Sequence, residues 1–157
     1  MNFRFVEKIG GPAIIITDKV LSVMHKYRQL HPSAKEAGGQ LYAKFEGVDT
    51  LILEATKPKF LDKRTRYRFR PNRTLQRFEI YCRYKKGLHF VGDWHTHPEK
   101  YPSPSNKDIN YMYNNFHLSL IKFRAFVMVI IGTEPEPEGL HVALVRSKSI
   151  IQLQHEA

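Results

Sequence analysis

Leu88-His89-Phe90-Val91-Gly92-Asp93-Trp94-His95-Thr96-His97-Pro98 is a short apolar run that ends in two histidines and a proline. Its length and its aromatic and β-branched content predict a buried strand. Side chains alternate across a strand, so His95 and His97 share one face and both imidazoles point into one space. Pro98 cannot donate to a sheet ladder, and Pro102 and Pro104 keep the next segment irregular until Ser105, where a helix can begin. Asp108 then falls in the first turn of that helix, near enough to add a third ligand. Two histidines and one carboxylate leave a fourth tetrahedral position for water, the ligand count of a catalytic zinc rather than a structural one. Each piece also has a plainer reading. A lone His95 can be a satisfied core histidine, and Ser105 with Asp108 is a helix-capping pattern.

Working outward, the flanking segments predict the layers around that strand. Ala13-Ile14-Ile15-Ile16 reads as a strand, and Thr17-Asp18 as the N-cap of a helix carrying Val20, Leu21, Met24, Tyr27 and Arg28 on one stripe, ended by Pro32. Gly38-Gly39 opens another strand, and Glu46-Gly47-Val48-Asp49 turns it back into Thr50 to Ala55 as an antiparallel hairpin. A loop from Thr56 to Lys63 leads to a basic strand, Arg64 to Arg70. Pro71-Asn72-Arg73-Thr74 then starts a helix with Leu75, Phe78, Tyr81 or Cys82, and Lys85 on its stripe, stopped at Gly87. A helix from Ser105 to about Leu118 carries Ile109, Met112, Tyr113 and Phe116. Arg124 to Ile131 and Leu140 to Val145 are strands, with Ile150 to Leu153 as a last edge. The sum predicts an α/β layer fold in one domain over residues 1–157: a mixed, mostly antiparallel sheet flanked by about three helices.

Composition narrows the function classes. The 157 residues are 42% hydrophobic and 25% charged, which fits a globular domain with a real core. One cysteine, Cys82, excludes an internal disulfide and any cysteine-based zinc cluster, and reads as a buried small hydrophobe. The start shows no signal peptide, and the longest apolar runs are too short to span a membrane, so the expectation is a soluble cytoplasmic protein. The formal charge of +10 points to acidic partners without choosing among them. Arg64, Arg66, Arg68, Arg70 and Arg73, interleaved with Tyr67 and Phe69, have the composition of a nucleic-acid surface. The plainer reading, preferred here, is an edge strand with its arginines outward and its aromatics inward.

A hydrolytic zinc needs a base, and the cluster itself has none to spare. Glu36, Glu46 and Glu54 lie upstream. Glu36 stands just before Gly38-Gly39, where other backbone can approach closely, whereas Glu46 sits in a turn and Glu54 in an alternating strand. His25, His31, His89, His117, His141 and His155 lack comparable company.

Glu36-Ala37-Gly38-Gly39-Gln40-Leu41, then His95-Thr96-His97-Pro98, six residues, Ser105, two residues and Asp108, resembles the JAMM motif of the JAB/MPN zinc metalloproteases in order and spacing. The elements from Ile14 to about Val145 are similar to the MPN domain, a cytidine-deaminase-like fold. The compact bacterial members resemble this chain most, including deconjugating proteases found beside ubiquitin-like transfer enzymes in antiphage operons. The resemblance implies that His95, His97 and Asp108 bind Zn²⁺, that Glu36 holds the water and acts as general base, and that Ser105 donates to the oxyanion. Trp94 and Thr96, on the opposite strand face, are packing or supporting residues. It further implies cleavage after the C-terminus of a ubiquitin-like protein or its conjugate, with conjugating enzymes or nucleotidyltransferases as partners. A non-catalytic MPN scaffold and a basic nucleic-acid-binding module are the competing classes.

Overall fold

The run Phe126 to Ile131 is buried at every position because the strand it forms is covered on both faces. The computed structural model describes residues 1–118 and 125–157, without the side chains of 116–118. The expectations placed on Phe116, His117 and Arg124 therefore lie outside the described residues. In chain order the elements are β1 (Phe3–Val6), β2 (Ala13–Ile16), α1 (Asp18–His25), β3 (Gly38–Glu46), β4 (Asp49–Ala55), β5 (Lys63–Thr65), β6 (Arg68–Arg70) and α2 (Arg73–Lys85). They continue with β7 (His89–Thr96), α3 (Asn106–Leu118), β8 (Phe126–Ile131), β9 (Leu140–Val145), β10 (Ile150–Gln152) and β11 (Gln154–Glu156).

The main sheet runs β10-β9-β8-β7-β3-β4-β2-β1-β11, and β5 with β6 forms a separate hairpin. Only β2 with β4 and β7 with β8 pair in parallel among the described residues; the other pairs are antiparallel, as expected. On β8, Val127, Val129 and Ile131 join the core that holds Val20, Leu21 and Met24 of α1. Phe126, Met128 and Ile130 face the other way, into the core that holds Met112 of α3. This period of two, apolar on both sides, explains the unbroken hydrophobic run.

The edges are where the structure departs from expectation. Phe3–Val6 is a strand, and it pairs with the last strand, Arg4 opposite Glu156. Ile150 to Gln152 pairs with β9 at one end of the sheet, while Gln154 to Glu156 pairs with β1 at the other. The C-terminal segment thus bridges both ends of the strand order, and the sheet curls so that its two end strands are joined at Leu153.

Four further expectations need correction. Helix α1 stops at His25 with Lys26 as its C-cap, well before Pro32. The residues after it serve tertiary contacts: the Tyr27 ring packs 6.2 Å from Trp94, and Arg28 donates to Glu136 at 2.7 Å. Thr17 is the N-cap by backbone only, because its hydroxyl donates to the Ile52 carbonyl. The segment Arg64 to Arg70 is no single strand: it turns at Arg66-Tyr67 into the β5–β6 hairpin, so the arginines do not share one face. Helix α2 has the expected Asn72 cap, accepting from the Leu75 N–H, and Gly87 at φ +79° beyond its end. Its packed face is different, however. Phe78 and Tyr81 are 64% and 56% exposed, while Gln76 is buried and Ile80 packs on the core. Arg83 stacks 4.8 Å over the Tyr42 ring and donates to Glu54. Two polar residues on the inner face hid it from a hydrophobicity pattern.

Candidate metal centre

β7 carries the two histidines out of the middle of the sheet, where pairing with β3 on one side and β8 on the other holds its backbone. The alternation of β7 turns Trp94 and Thr96 to one face, and Asp93, His95 and His97 to the other. His95 Nε2 and His97 Nε2 lie 3.2 Å apart. The α3 residue Asp108 reaches them from above, with Oδ2 3.3 Å from His95 Nε2 and 3.1 Å from His97 Nε2. For a tetrahedral ion with ligand bonds of about 2.0–2.1 Å, neighbouring donors are separated by about 3.3 Å. The triangle of two imidazole nitrogens and one carboxylate oxygen fits that cradle.

Glu36 completes the group. One ligand atom each from Glu36, His95, His97 and Asp108 fall within 4.8 Å of one another. Continuing the β3–β7 register beyond Gly38 opposite His95 brings Glu36 opposite His97. The approach depends on Gly38 and Gly39: a Cβ at either would lie 2.5 Å from the Trp94 carbonyl or 2.2 Å from that of Thr56. Thr96, on the far face of β7, locks the segment in place. Its hydroxyl accepts from the Ala37 N–H at 2.9 Å and donates to Gln29 Oε1, and its own N–H donates to the Ala37 carbonyl. From the other side, Glu36 N–H donates to the Thr65 carbonyl, and Arg64 Nε donates to the Glu36 carbonyl. The basic hairpin therefore buttresses the glutamate.

Ser105 and Asp108 form a reciprocal cap: Ser105 N–H donates to Asp108 Oδ2 at 2.8 Å, and Asp108 N–H donates to Ser105 Oγ at 3.1 Å. The capping reading of this pair holds, and the same carboxylate oxygen, Oδ2, serves the cap and faces the histidines. Ser105 Oγ accepts in this arrangement, which leaves its own proton free to donate.

The electrostatics follow from burial and neighbours. Burial raises the Glu36 pKa, and the histidines only partly oppose it. Burial would also raise Asp108, but hydrogen bonds from His95 and His97 outweigh it and hold the carboxyl well below the usual range. His97 is raised: burial works against its charge, and the Asp108 bond prevails. Its Nδ1 has no hydrogen-bond partner among the described residues, with Glu99 3.7 Å away.

Glu46 and Glu54 do not join the cluster; Glu54 pairs with Arg83 and Lys19. His25, His31, His89, His141 and His155 also stay apart from it. His141 is buried, while His25 is tied to Glu136. Residues that the sequence did not flag for this site are Gln29 and Arg64, which position Thr96 and Glu36, and Asp93. The Asp93 carboxyl is buried two residues before His95, pushed up to about 7 by burial, with Asn115 Nδ2 3.4 Å away. Strand alternation from His95 was a signal that could have found it. The cluster stands in a cleft of about 600 Å³, with β6, the start of α3 and the ends of β3 and β7 as its walls.

The family of prokaryotic homologues of the JAB domain matches residues 17–145. This chain belongs to that family. A relative from Escherichia coli is 29% identical over 141 residues, 83% of this chain and 76% of that protein. Another, from Vibrio cholerae, is 27% identical over 126 residues and covers 76% of each chain. One from Pseudomonas aeruginosa is 35% identical over 91 residues, 56% of this chain and 58% of that protein. All three bear the name CD-NTase/cGAS isopeptidase. The JAB-type fold recurs in a solution structure from Desulfitobacterium hafniense, at a TM-score of 0.62, 22% identity and 87% coverage of both chains. A Salinibacter ruber structure is similar at a TM-score of 0.53 and 16% identity, covering 87% of this chain and 86% of that one.

Proposed function

We propose that this protein is a zinc-dependent isopeptidase or peptidase that cleaves after the C-terminus of a ubiquitin-like protein or frees it from its conjugate. The observation that carries this reading is the convergence of Glu36, His95, His97 and Asp108 within 4.8 Å. Membership of the JAB-domain family and the isopeptidase name of the relatives support hydrolysis. That name also supports a CD-NTase conjugate as substrate, which makes a nucleotidyltransferase a partner.

His95, His97 and Asp108 would hold the ion, which at such a site supplies Lewis acidity and lets water lose a proton near neutral pH. Glu36 takes that proton. The same carboxyl returns the proton to the leaving amine. Ser105 donates its hydroxyl to the carbonyl oxygen as negative charge develops there. An extended tail fits beside β6, which pairs only with β5 among the described residues and contributes residues 68–70 to the cleft wall. Strand addition there supplies affinity through backbone hydrogen bonds.

Metal analysis of the purified protein is expected to return about one zinc per chain. Glu36→Ala is expected to retain the zinc and to lose turnover of a ubiquitin-like protein carrying a C-terminal extension by about 10²–10⁴-fold. Wild-type protein without zinc, together with turnover insensitive to chelator, would overturn the mechanism.

A further inference from the structure

Most arginines of this basic chain have visible duties. Arg4 pairs with Asp49 and Glu156, Arg28 with Glu136, Arg83 with Glu54 and Glu79, and Arg146 with Glu7. Arg64 and Arg66 bind the backbone carbonyls of Glu36, His31 and Pro32. Arg68 and Arg70 differ. Both are exposed, both line the cleft that holds the metal cluster, and neither has a carboxylate or carbonyl partner among the described residues. They stand two residues apart on β6, so both side chains leave the same face of that strand.

Most carboxylates of the cleft already face a cationic or imidazole group, and the exception, Asp93, whose Oδ1 has no partner among the described residues, is buried away from β6's exposed arginines. Glu36 and Asp108 face His95 and His97, Glu99 lies 3.7 Å from His97, and Asp93 feels the charges of Arg73 and Lys59. Lys107, at the start of α3, adds another cation to the cleft wall. The unanswered charge along β6 is therefore positive. Between the two arginines, the Phe69 ring turns inward, so close to Gly38 that a Cβ there would lie 2.7 Å from it.

We infer that β6 reads the substrate tail by charge: the cleft takes an extended peptide with acidic side chains at alternate positions, opposite Arg68 and Arg70, and a small residue between them. This rests on the peptidase reading for the placement of the tail beside β6. On neighbouring strands, residues directly opposite bring their Cβ atoms to about 4.5–5.5 Å, which suits a carboxylate to an arginine. Residues at i and i+2 of the tail share the arginines' face, and the residue between them faces the side filled by Phe69.

The test is fluorescence anisotropy at physiological salt with fluorescein-labelled eight-residue peptides, using a Glu36→Gln background so that no probe is consumed. One peptide carries Glu at two alternate positions with Gly between, a second carries Gln at the same positions, and a third carries the two Glu side by side. The alternating Glu peptide is expected to bind about tenfold more tightly than the Gln peptide and more tightly than the adjacent-Glu peptide. Arg68→Gln with Arg70→Gln should abolish that preference. Lys85→Gln with Lys86→Gln, an equal charge loss at the end of α2, should preserve it. Equal binding of Glu and Gln peptides, a preference that survives the arginine pair, or one abolished equally by the lysine pair would overturn the inference. So would a single-stranded oligonucleotide of equal charge that outcompetes the acidic peptide, the result expected of a nucleic-acid groove. Because the readout is binding, absence of zinc or hydrolysis would sink the peptidase reading without altering this result.

Discussion

The two walls of the cleft are built on opposite principles. On the β7 and α3 wall, every element is anchored: β7 is paired on both sides, Thr96 ties Ala37, next to Glu36, to the strand, and Ser105 and Asp108 cap one helix start. On the β5–β6 wall, a two-stranded hairpin presents Arg68 and Arg70, which have no carboxylate or carbonyl partner among the described residues. The first wall holds groups that must stay within tenths of an ångström to do chemistry. The second offers groups awaiting a partner.

Substitutions can break that contrast, beginning with the anchored wall. Ser105→Ala is expected to lower turnover about 10²–10³-fold if its hydroxyl meets the developing oxyanion, while losing the cap costs about 1 kcal/mol, measured by steady-state kinetics and chemical denaturation. A turnover loss no larger than the stability change explains would leave Ser105 as a cap alone. Thr96→Val keeps the shape but strips the Ala37 N–H and Gln29 Oε1 of their partner, so unfolding free energy should fall by about 1–3 kcal/mol. Turnover should fall with it, because Glu36 loses its tether.

A smaller effect separates stability from function. The Glu36 pKa is raised in the folded protein from its ordinary 4.5, so the buried carboxylate costs stability once it ionises. Below pH 4.5 both states hold the proton and nothing is lost; as pH rises through the folded value the cost becomes complete. In metal-stripped protein, Glu36→Gln should therefore unfold at higher denaturant than wild type at pH 7, with the advantage vanishing below about pH 4.5. An advantage independent of pH would show that burial of the charge is not its origin. Smallest of all, Phe78→Ser, outside the cleft, should change stability by less than about 0.5 kcal/mol, because that ring lies on the exposed face of α2. A large loss would mean that the aromatic face is packed after all.

Much of the anchored wall was legible from sequence because its rules are local. Strand alternation put His95 and His97 together, and capping chemistry put Asp108 at a helix start. The turn at Gly47 and the stop at Gly87, at φ +63° and +79°, were equally readable because each needs a residue without a Cβ. The open wall was misread for the converse reason. Alternating arginines and aromatics suggest one strand, but Arg64 and Arg66 are drawn to carbonyls of the segment before β3, and the chain folds back between them and Arg68. On α2, an arginine and a glutamine face the sheet, and hydrophobic periodicity does not register them.

By itself the sequence determined the mixed sheet with three helices, the histidine pair at the end of β7 and the carboxylate at the head of α3, because these follow from periods of two and 3.6 residues and from the conformations open to Gly and Pro. Only the tertiary structure decided that Glu36 arrives opposite His97, that the C-terminal segment bridges both ends of the sheet, and that β6 presents bare arginines to the cleft. These depend on contacts between segments far apart in the chain. No local spacing encodes which backbone will settle against Gly38 and Gly39, or which arginine will find a carbonyl instead of a carboxylate.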